Sequence, residues 1–176
     1  MMFLNKIKIF LLISICLIFF FLTYNDVKSE EIKVISGIAK VIDGDTLRIN
    51  DKKIRLLGID APEKKQQCRK AWLSISFLTL NKEYPCGGIS TDKLKRKINN
   101  KPIICKWTYK DRYMRLIAEC YKKKININAW MVQNGYALAY RKYSTKFIAQ
   151  ENIARKEQLG IWAGSFEMPW DYRKSN

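Results

Sequence analysis

Acidic and arginine side chains are concentrated in three short segments, and together they are the residue types that phosphodiester hydrolysis uses. The segments are residues 42–46 (Ile-Asp-Gly-Asp-Thr), residues 54–63 (Ile-Arg-Leu-Leu-Gly-Ile-Asp-Ala-Pro-Glu) and residues 111–115 (Asp-Arg-Tyr-Met-Arg). Each segment lies at the end of a predicted strand. Because a barrel collects its strand ends at one mouth, we expect the three segments to meet there.

These segments contain a candidate cation site and candidate phosphate ligands. Asp45 and Asp60 can supply the carboxylate oxygens that hard cations such as Ca²⁺ prefer. Arg55 and Arg115 can each bind a phosphate through two parallel hydrogen bonds, which lysine cannot do. Since the chain contains no histidine, Glu63 is the candidate to orient or deprotonate a water.

Each segment on its own also has an ordinary structural interpretation. Asp43-Gly44 is a common turn dipeptide, and residues 60–63 can be a loop that leads into a helix. An arginine in a strand, such as Arg55, is usually solvated. A nucleic-acid-binding module without catalysis therefore stays open as the alternative to a nuclease.

The composition narrows the possible chemistry and the possible partners. A chain of 176 residues suits one domain plus an extra segment. The absence of histidine excludes Ser-His-Asp and Cys-His catalysis and histidine-ligated zinc. With 33 Lys and Arg against 16 Asp and Glu, the formal net charge is +17, which favours attraction to nucleic acid. The basic stretches 93–97 and 122–124 can follow a phosphate backbone or can simply be solvated surface.

The first 29 residues have the pattern of a secretory signal peptide. Lys6 and Lys8 precede an uncharged apolar run over residues 9–22, and Val27 and Ser29 are small residues at positions that a signal peptidase reads. We expect cleavage after Ser29, a domain over residues 30–176, and export to the periplasm or the medium. The alternative is an uncleaved membrane anchor formed by residues 9–22.

Four cysteines remain after that cleavage site, and in an oxidising compartment they favour disulfides. Three pairings of Cys68, Cys86, Cys105 and Cys120 are possible. Cys105 and Cys120 lie in two adjacent predicted strands, so Cys105–Cys120 is expected and Cys68–Cys86 follows.

The pattern of strands and helices predicts an α+β fold that is mainly a β barrel, with five strands in Greek-key order and about three packed helices. Residues 69–80 look helical, although residues 84–88 interrupt that pattern. We expect strands at 32–42, 46–49, 53–57, 102–109 and 115–121, and helices at 91–98, at 125–133 and from Ser144 or Thr145 to 158.

The three polar segments, followed in register by Asn128-Ala129, residues 135–137 and residues 151–162, strongly resemble the staphylococcal nuclease family. The resemblance covers about residues 32–162. It implies an OB-fold barrel with three helices and Ca²⁺-dependent cleavage of DNA and RNA that leaves 3′-phosphate ends. On that basis we expect a monomer whose partners are DNA and RNA, with membrane contact only if the N-terminal segment is uncleaved.

The resemblance also assigns roles to individual residues of this sequence. It implies Asp45, Asp60 and the carbonyl of Ala61 as calcium ligands, Glu63 as general base, and Arg55 and Arg115 as phosphate ligands. It further implies Asp43 as an acid beside the metal, with substrate contacts from Arg112, Tyr113, Tyr140 and Tyr143.

Three features depart from the pattern of this family. Ala61 stands where Thr is usual, and the change is tolerable because the implied ligand is a backbone carbonyl. Met114 replaces a common Gly, and residues 64–86 are longer than in the founding enzyme.

Overall fold

The computed structural model describes residues 11–16 and residues 31–176 of the chain. Residues 11–16 are helical (α1) and exposed. The chain divides between Glu31 and Ile32 into two units. No helix among the described residues is long and apolar enough to cross a membrane. The expected cleavage site after Ser29 lies outside the described residues.

The second unit contains eleven strands, four α-helices and one short 3₁₀ helix. In chain order they are β1 (Lys33–Val41), β2 (Thr46–Ile49), β3 (Lys52–Leu56), β4 (Ile59–Asp60), β5 (Cys68–Ile75), β6 (Leu78–Tyr84), α2 (Cys86–Ile98), β7 (Pro102–Lys110), β8 (Leu116–Lys122), β9 (Ile125–Asn126), α3 (Ile127–Gln133), β10 (Leu138–Ala139), α4 (Ile148–Lys156), the 3₁₀ helix (Gly160–Ala163), β11 (Gly164–Ser165) and α5 (Pro169–Ser175).

Strands β1, β2, β3, β7 and β8 close into a five-stranded barrel. β1, β2 and β3 form an antiparallel meander, and β7 pairs antiparallel with both β1 and β8. A parallel pairing of β3 with β8, with Ile54 opposite Leu116, closes the sheet on itself. The predicted α+β barrel is therefore confirmed, and its five strands are those that the sequence predicts.

The barrel interior is the hydrophobic core, and strand alternation fills it. In β2, Leu47 and Ile49 are buried while Arg48 between them is exposed. Helix α2 adds Leu94 and Ile98, which are one turn apart and fully buried. Burying side chains of this size contributes roughly 1.5–3 kcal/mol each, which fixes the strands whose ends carry the polar segments.

The buried side chain of Asn128 joins α3 to the barrel. Its amide nitrogen donates to the carbonyls of Leu57 (2.9 Å) and Ala118 (3.1 Å), and its oxygen accepts from the backbone N–H of Cys120 (3.0 Å). These bonds satisfy backbone groups where β3 ends beside β8. They hold in place the loop that leads from β3 to the second polar segment.

The expected helix over residues 69–80 is wrong. These residues form the antiparallel hairpin of β5 and β6, which turns at Ser76 and Phe77. Leu73 pairs with Leu80 and Ile75 with Leu78, so the apolar residues share one face of the hairpin. The spacing of these four apolar residues fits one face of a hairpin as well as one face of a helix. In the structure they pair across two strands and do not form a helix.

The last two predicted helices begin later than expected. Residues 125 and 126 form the short strand β9 before α3, and Asn126 caps α3 by accepting from the N–H of Ala129 (3.0 Å). Neither Ser144 nor Thr145 caps α4, because the chain turns there with the N–H of Ser144 bonded to the carbonyl of Tyr140 (3.2 Å).

Both expected disulfides are present. Cys105 and Cys120 lie opposite each other on β7 and β8, with Cα atoms 4.0 Å apart. Cys68 and Cys86 join the start of the hairpin to the start of α2, with Cα atoms 5.6 Å apart.

Candidate active site

The guanidinium of Arg55 lies between two buried carboxylates at the mouth of the barrel. Its Nη1 pairs with Oδ1 of Asp45, and its Nη2 pairs with Oδ1 of Asp60 at 2.5 Å. Asp45 is 2% exposed and Asp60 is fully buried. The meander thus brings together three of the residues that the sequence singles out, as expected.

The Asp-Gly turn before β2 positions Asp45. The Asp43 carboxylate accepts a hydrogen bond from the backbone N–H of Asp45 (3.0 Å), which fixes the turn. Oδ2 of Asp45 accepts from the backbone N–H of Ala61 at 2.8 Å. Glycine is required at position 44, between Asp43 and Asp45, because a Cβ there would lie 2.2 Å from Oγ of Ser90. Asp43 therefore acts on the carboxylate pair by holding the backbone of Asp45.

Strand β4 positions Asp60 by pairing with β10. Leu138 lies opposite Asp60, and the N–H of Tyr140 donates to the carbonyl of Gly58 at 2.9 Å. The buried carboxylate of Glu151 on α4 accepts from the N–H of Ala139 at 3.0 Å. Helix α4 thereby fixes the short strand against which Asp60 is aligned.

Burial makes Asp45 an unusual carboxyl group. Desolvation raises its pKa from 3.8 to about 7, and the nearby charges of Asp43 and Asp60 act in the same direction. The positive charge of Arg55 opposes this shift. Because burial disfavours the ionised form of Asp45, a further positive charge close to this carboxylate would stabilise that form.

Glu63 follows Asp60 on a loop that is held by its backbone. Its N–H donates to Oε1 of the fully buried Gln66 (3.0 Å). The start of α2 presses against the same loop, because a Cβ on Gly87 would lie 1.7 Å from the carbonyl oxygen of Glu63. The Glu63 side chain is 36% exposed, so it is available to a water.

A cleft of about 940 Å³ opens above the carboxylate pair. Arg55 reaches it from below, whereas Asp45, Asp60 and Ala61 are not part of its wall. The predicted site residues that line it are Asp43, Arg55, Glu63, Arg112, Tyr113, Arg115, Tyr140 and Tyr143.

Asp111 holds Arg115 at the edge of this cleft. Its Oδ1 accepts the backbone N–H of Arg115 (2.9 Å), and its Oδ2 accepts Nε at 2.7 Å. Burial acts to raise the pKa of Asp111, but its hydrogen bonds with Arg115 and Tyr113 outweigh it and lower that pKa. Arg115 keeps both Nη groups free of this pairing, and these are the donors suited to a phosphate.

Met114 occupies a strained position in the turn between Asp111 and Arg115. Its φ is +60°, a conformation that favours glycine. The side chain is exposed, and the N–H donates to the carbonyl of Asp111 (2.9 Å). The turn is therefore kept without the glycine that is common at this position, at the expense of backbone strain.

Two tyrosines and one tryptophan form the aromatic wall of the cleft. Tyr140 and Tyr143 meet edge to face with ring centroids 4.9 Å apart. Trp170 on α5 stacks on Tyr140, with centroids 5.4 Å apart and planes inclined by 4°.

Arg173 on α5 belongs to the site and is absent from the sequence-based prediction. Its Nη2 donates to Oδ2 of Asp60 (2.7 Å), and its Nη1 donates to Oδ1 of Asp60 (3.1 Å) and to Oε1 of Glu63 (2.6 Å). A sequence signal for it exists: Pro169 suits the first turn of a helix, and Trp170 and Arg173 are then three apart on one face.

The donor set around Asp45 and Asp60 suits a hard cation. Two carboxylates face the same guanidinium, and the backbone N–H of Ala61 contacts one of them, Asp45. Within residues 11–16 and 31–176, no group of three or more Asp, Glu, His or Cys side chains forms a metal cluster. A cation here would therefore combine two carboxylates with backbone carbonyl oxygen and water, a combination that Ca²⁺ accepts.

Comparison with known proteins agrees with this geometry. The family described as staphylococcal nuclease homologue matches residues 53–164, which are more than half of the chain. The match includes Arg55, Asp60, Glu63 and Arg115.

Several relatives are nucleases by name. An Escherichia coli protein described as an uncharacterized endonuclease is 32% identical over 147 residues, covering 78% of this chain and 84% of that protein. A Haemophilus influenzae protein with the same description is 38% identical over 135 residues, covering 72% and 65%. A micrococcal nuclease of Shigella flexneri is 29% identical over 158 residues, covering 79% and 80%. This chain, with its OB-fold barrel and its acid and arginine cleft, belongs to the staphylococcal nuclease family.

Proposed function

We propose that this protein is a Ca²⁺-dependent nuclease that hydrolyses the phosphodiester bonds of DNA and RNA and leaves 3′-phosphate ends. The observation that carries the proposal is the convergence of Arg55, Glu63 and Arg115 on one cleft above the Asp45–Asp60 pair. Binding alone requires no buried acids beneath a phosphate site. Family membership supports the nuclease class; the cation and the products are the proposed part.

Asp45, Asp60 and the carbonyl oxygen of Ala61 are the residues that would hold the cation. When bound, Ca²⁺ supplies a Lewis acid that offsets charge on the phosphate. The carboxylates contribute by their burial, since a low-dielectric surrounding strengthens their attraction for a cation.

Glu63 is the proposed general base. Its side chain is partly exposed in the cleft, and its backbone is fixed by Gln66 and by the start of α2. A carboxylate held in this way accepts a proton from an attacking water or directs that water towards phosphorus. Asp45 and Asp60 are buried and are not part of the wall of the cleft, whereas Glu63 lines it.

Arg55 and Arg115 would stabilise the negative charge that develops on the phosphate oxygens. Arg55 approaches from the carboxylate side and Arg115 from the loop after β7, so their positive charges reach the phosphate from two elements of the barrel. Removing one preorganised donor of this kind typically lowers kcat about 10²–10³-fold.

Arg112, Tyr113, Tyr140 and Tyr143 would bind the rest of the nucleic acid. Tyr113 is exposed, and the guanidinium of Arg112 lies 4.8 Å from the centre of its ring. Aromatic rings beside basic residues bind nucleotides with little regard for sequence, because every base has a face that stacks. The net charge of +17 favours the same lack of sequence preference.

We also propose that residues 1–29 are a signal peptide and that the protein acts outside the cytoplasm as a monomer. The two disulfides support export, because such bonds persist in oxidising compartments. Calcium at extracellular concentrations can fill even a weak site. An anchor formed by residues 9–22 remains the alternative.

Cleavage assays on the purified protein with single-stranded DNA and RNA test the proposal. In millimolar Ca²⁺ we expect short products with 3′-phosphate ends on both substrates, and we expect no cleavage when a chelator is present. Protein that binds both nucleic acids in Ca²⁺ but never cuts them would contradict the proposal and favour the alternative, a binding module that uses the basic, aromatic cleft.

A further inference from the structure

Arg173 occupies the carboxylates that a cation would need. Its two Nη groups contact both oxygens of Asp60, and one of them also contacts Glu63. Arg55 already pairs with Oδ1 of Asp60. Both oxygens of this fully buried carboxylate are therefore engaged by guanidinium groups, and a cation that binds Asp60 competes with these two positive charges for it.

Arg173 is the contact that can be given up more easily. Both partners of Arg55, Asp45 and Asp60, are buried, whereas Arg173 pairs with the buried Asp60 and the partly exposed Glu63. Arg173 comes from the last helix, and its side chain is 35% exposed, compared with 16% for Arg55. Its long side chain can turn into the cleft, where a phosphate offers another partner for a guanidinium.

The backbone that carries Arg173 is fixed to the site. The buried side chain of Gln66, which accepts from Glu63 N–H, donates to the carbonyl of Glu167 at 2.7 Å. Trp170 stacks on Tyr140 and packs against the small hydrophobic cluster that contains Leu138, Ile161 and the two cysteines of the Cys68–Cys86 disulfide. Helix α5 therefore forms part of the cleft wall and positions Arg173 beside Asp60 and Glu63.

We propose that Arg173 and the catalytic cation are alternative partners of Asp60, so that Arg173 is a positioning residue that sets the affinity of the site for calcium. This inference rests on the proposed function. Before the cation binds, Arg173 balances the charge of Asp60 and Glu63 and keeps their carboxylates aligned. When the cation binds, Arg173 leaves Asp60 and keeps its contact with Glu63 or turns to the phosphate.

Calcium affinity of the full chain, measured by calorimetry without nucleic acid, tests this inference. Because a charge-assisted bidentate contact no longer has to be broken, Arg173→Gln should bind Ca²⁺ about tenfold or more tightly than the wild type. Arg173→Lys keeps the charge but cannot form two parallel hydrogen bonds with a carboxylate, so its calcium affinity should lie between those of the wild type and Arg173→Gln. If Arg173→Gln does not fold, the calcium affinity of Arg173→Lys is compared with that of the wild type instead, and it should be higher.

The matched control is Lys174→Gln, which removes the same charge from the same helix. Among the described residues, the ion pair of Lys174 is with Asp171 at 2.8 Å and not with Asp60. Its effect on calcium affinity should be several-fold smaller than that of Arg173→Gln, because Lys174 does not contact Asp60. Equal effects would mean that net charge alone sets the affinity and would overturn the inference.

The remaining outcomes separate this inference from the proposed function. Unchanged or weaker calcium binding in a folded Arg173→Gln, with a lower melting temperature, would show a purely structural arginine and overturn the inference alone. No calcium binding in any of the proteins would overturn both. Melting in millimolar Ca²⁺ is an independent readout, since tighter binding produces a larger stabilisation by the cation.

Discussion

Arg55 and Asp45 form an ion pair beneath the cleft, in which the arginine side chain is 16% and the aspartate side chain 3% exposed. A carboxylate buried to this degree needs positive charge nearby, and Arg55 supplies it from the neighbouring strand. The same guanidinium reaches Asp60, so one arginine holds two candidate calcium ligands together. The burial of both carboxylates makes this one arginine the positive charge that they share.

Asp45→Asn should stabilise the cation-free protein and abolish its activity. The folded-state pKa of Asp45 is raised to about 7 from 3.8, so its contribution to stability is greatest below pH 4 and is lost as the pH rises towards 7. At pH 7 the substitution should raise the free energy of unfolding on the order of 1–3 kcal/mol.

Chemical denaturation between pH 4 and pH 7, in the presence of chelator, measures this effect. The wild type should lose stability across that range, and Asp45→Asn should show a flatter profile. A variant that is less stable than the wild type at pH 7 would mean that the pair with Arg55 outweighs the burial of the carboxylate.

Arg115→Lys should lower kcat about 10²-fold while the protein stays folded, because lysine keeps the charge but cannot bind a phosphate through two parallel bonds. Steady-state kinetics on an oligonucleotide, with Arg69→Lys as control, measures the change. Arg69 lies on the exposed hairpin and pairs with Glu83, so its variant should behave as wild type. A change in KM alone for Arg115→Lys would assign it to binding only.

Met114→Gly should stabilise the protein by about 1 kcal/mol, because a residue with a side chain pays that much for φ near +60°. The exposed side chain of Met114 loses little packing when it is removed. Thermal unfolding of the two proteins measures the difference. Gln158→Gly, at another exposed position with positive φ (+52°), is the matched test of the same strain. Destabilisation by Met114→Gly would contradict the prediction and would mean that lost contacts or the greater freedom of glycine in the unfolded chain outweigh the strain.

Replacing Cys105 and Cys120 together by Ala should cost about 3 kcal/mol of unfolding free energy, as expected for a bond that closes a loop of roughly 15 residues. The separation of the two cysteines is 15. Denaturation of the double variant and the wild type without reductant measures the difference, because reductant would also open the Cys68–Cys86 bond. A variant as stable as the oxidised wild type would contradict the prediction.

The sequence predicts the barrel and most of the cleft for identifiable physical reasons. Alternating apolar and polar residues, such as Leu47, Arg48 and Ile49, predict a strand, and turn dipeptides such as Asp43-Gly44 mark where strands end. The acids and arginines follow these strand ends, so correct strands also place Asp45, Arg55 and Asp60.

The parts that the sequence does not predict depend on contacts between distant residues. The hairpin β5–β6 carries apolar residues that fit a helix equally well, and pairing of Leu73 with Leu80 decides between the two. Arg173 lies 113 positions from Asp60, and no local pattern links them. A helix of seven residues after the last glycine also offers little periodicity to detect.

Cleavage by Glu63→Gln tests the central claim most directly, because the substitution keeps the size of the side chain and removes its capacity to accept a proton. Rates would be measured in saturating Ca²⁺ under single-turnover conditions, with binding of the same oligonucleotide measured separately. We expect the rate to fall about 10²–10⁴-fold, the usual contribution of a general base, with binding within a few-fold of the wild type. A variant that cuts at the rate of the wild type would contradict the assignment of Glu63 and the mechanism built on it.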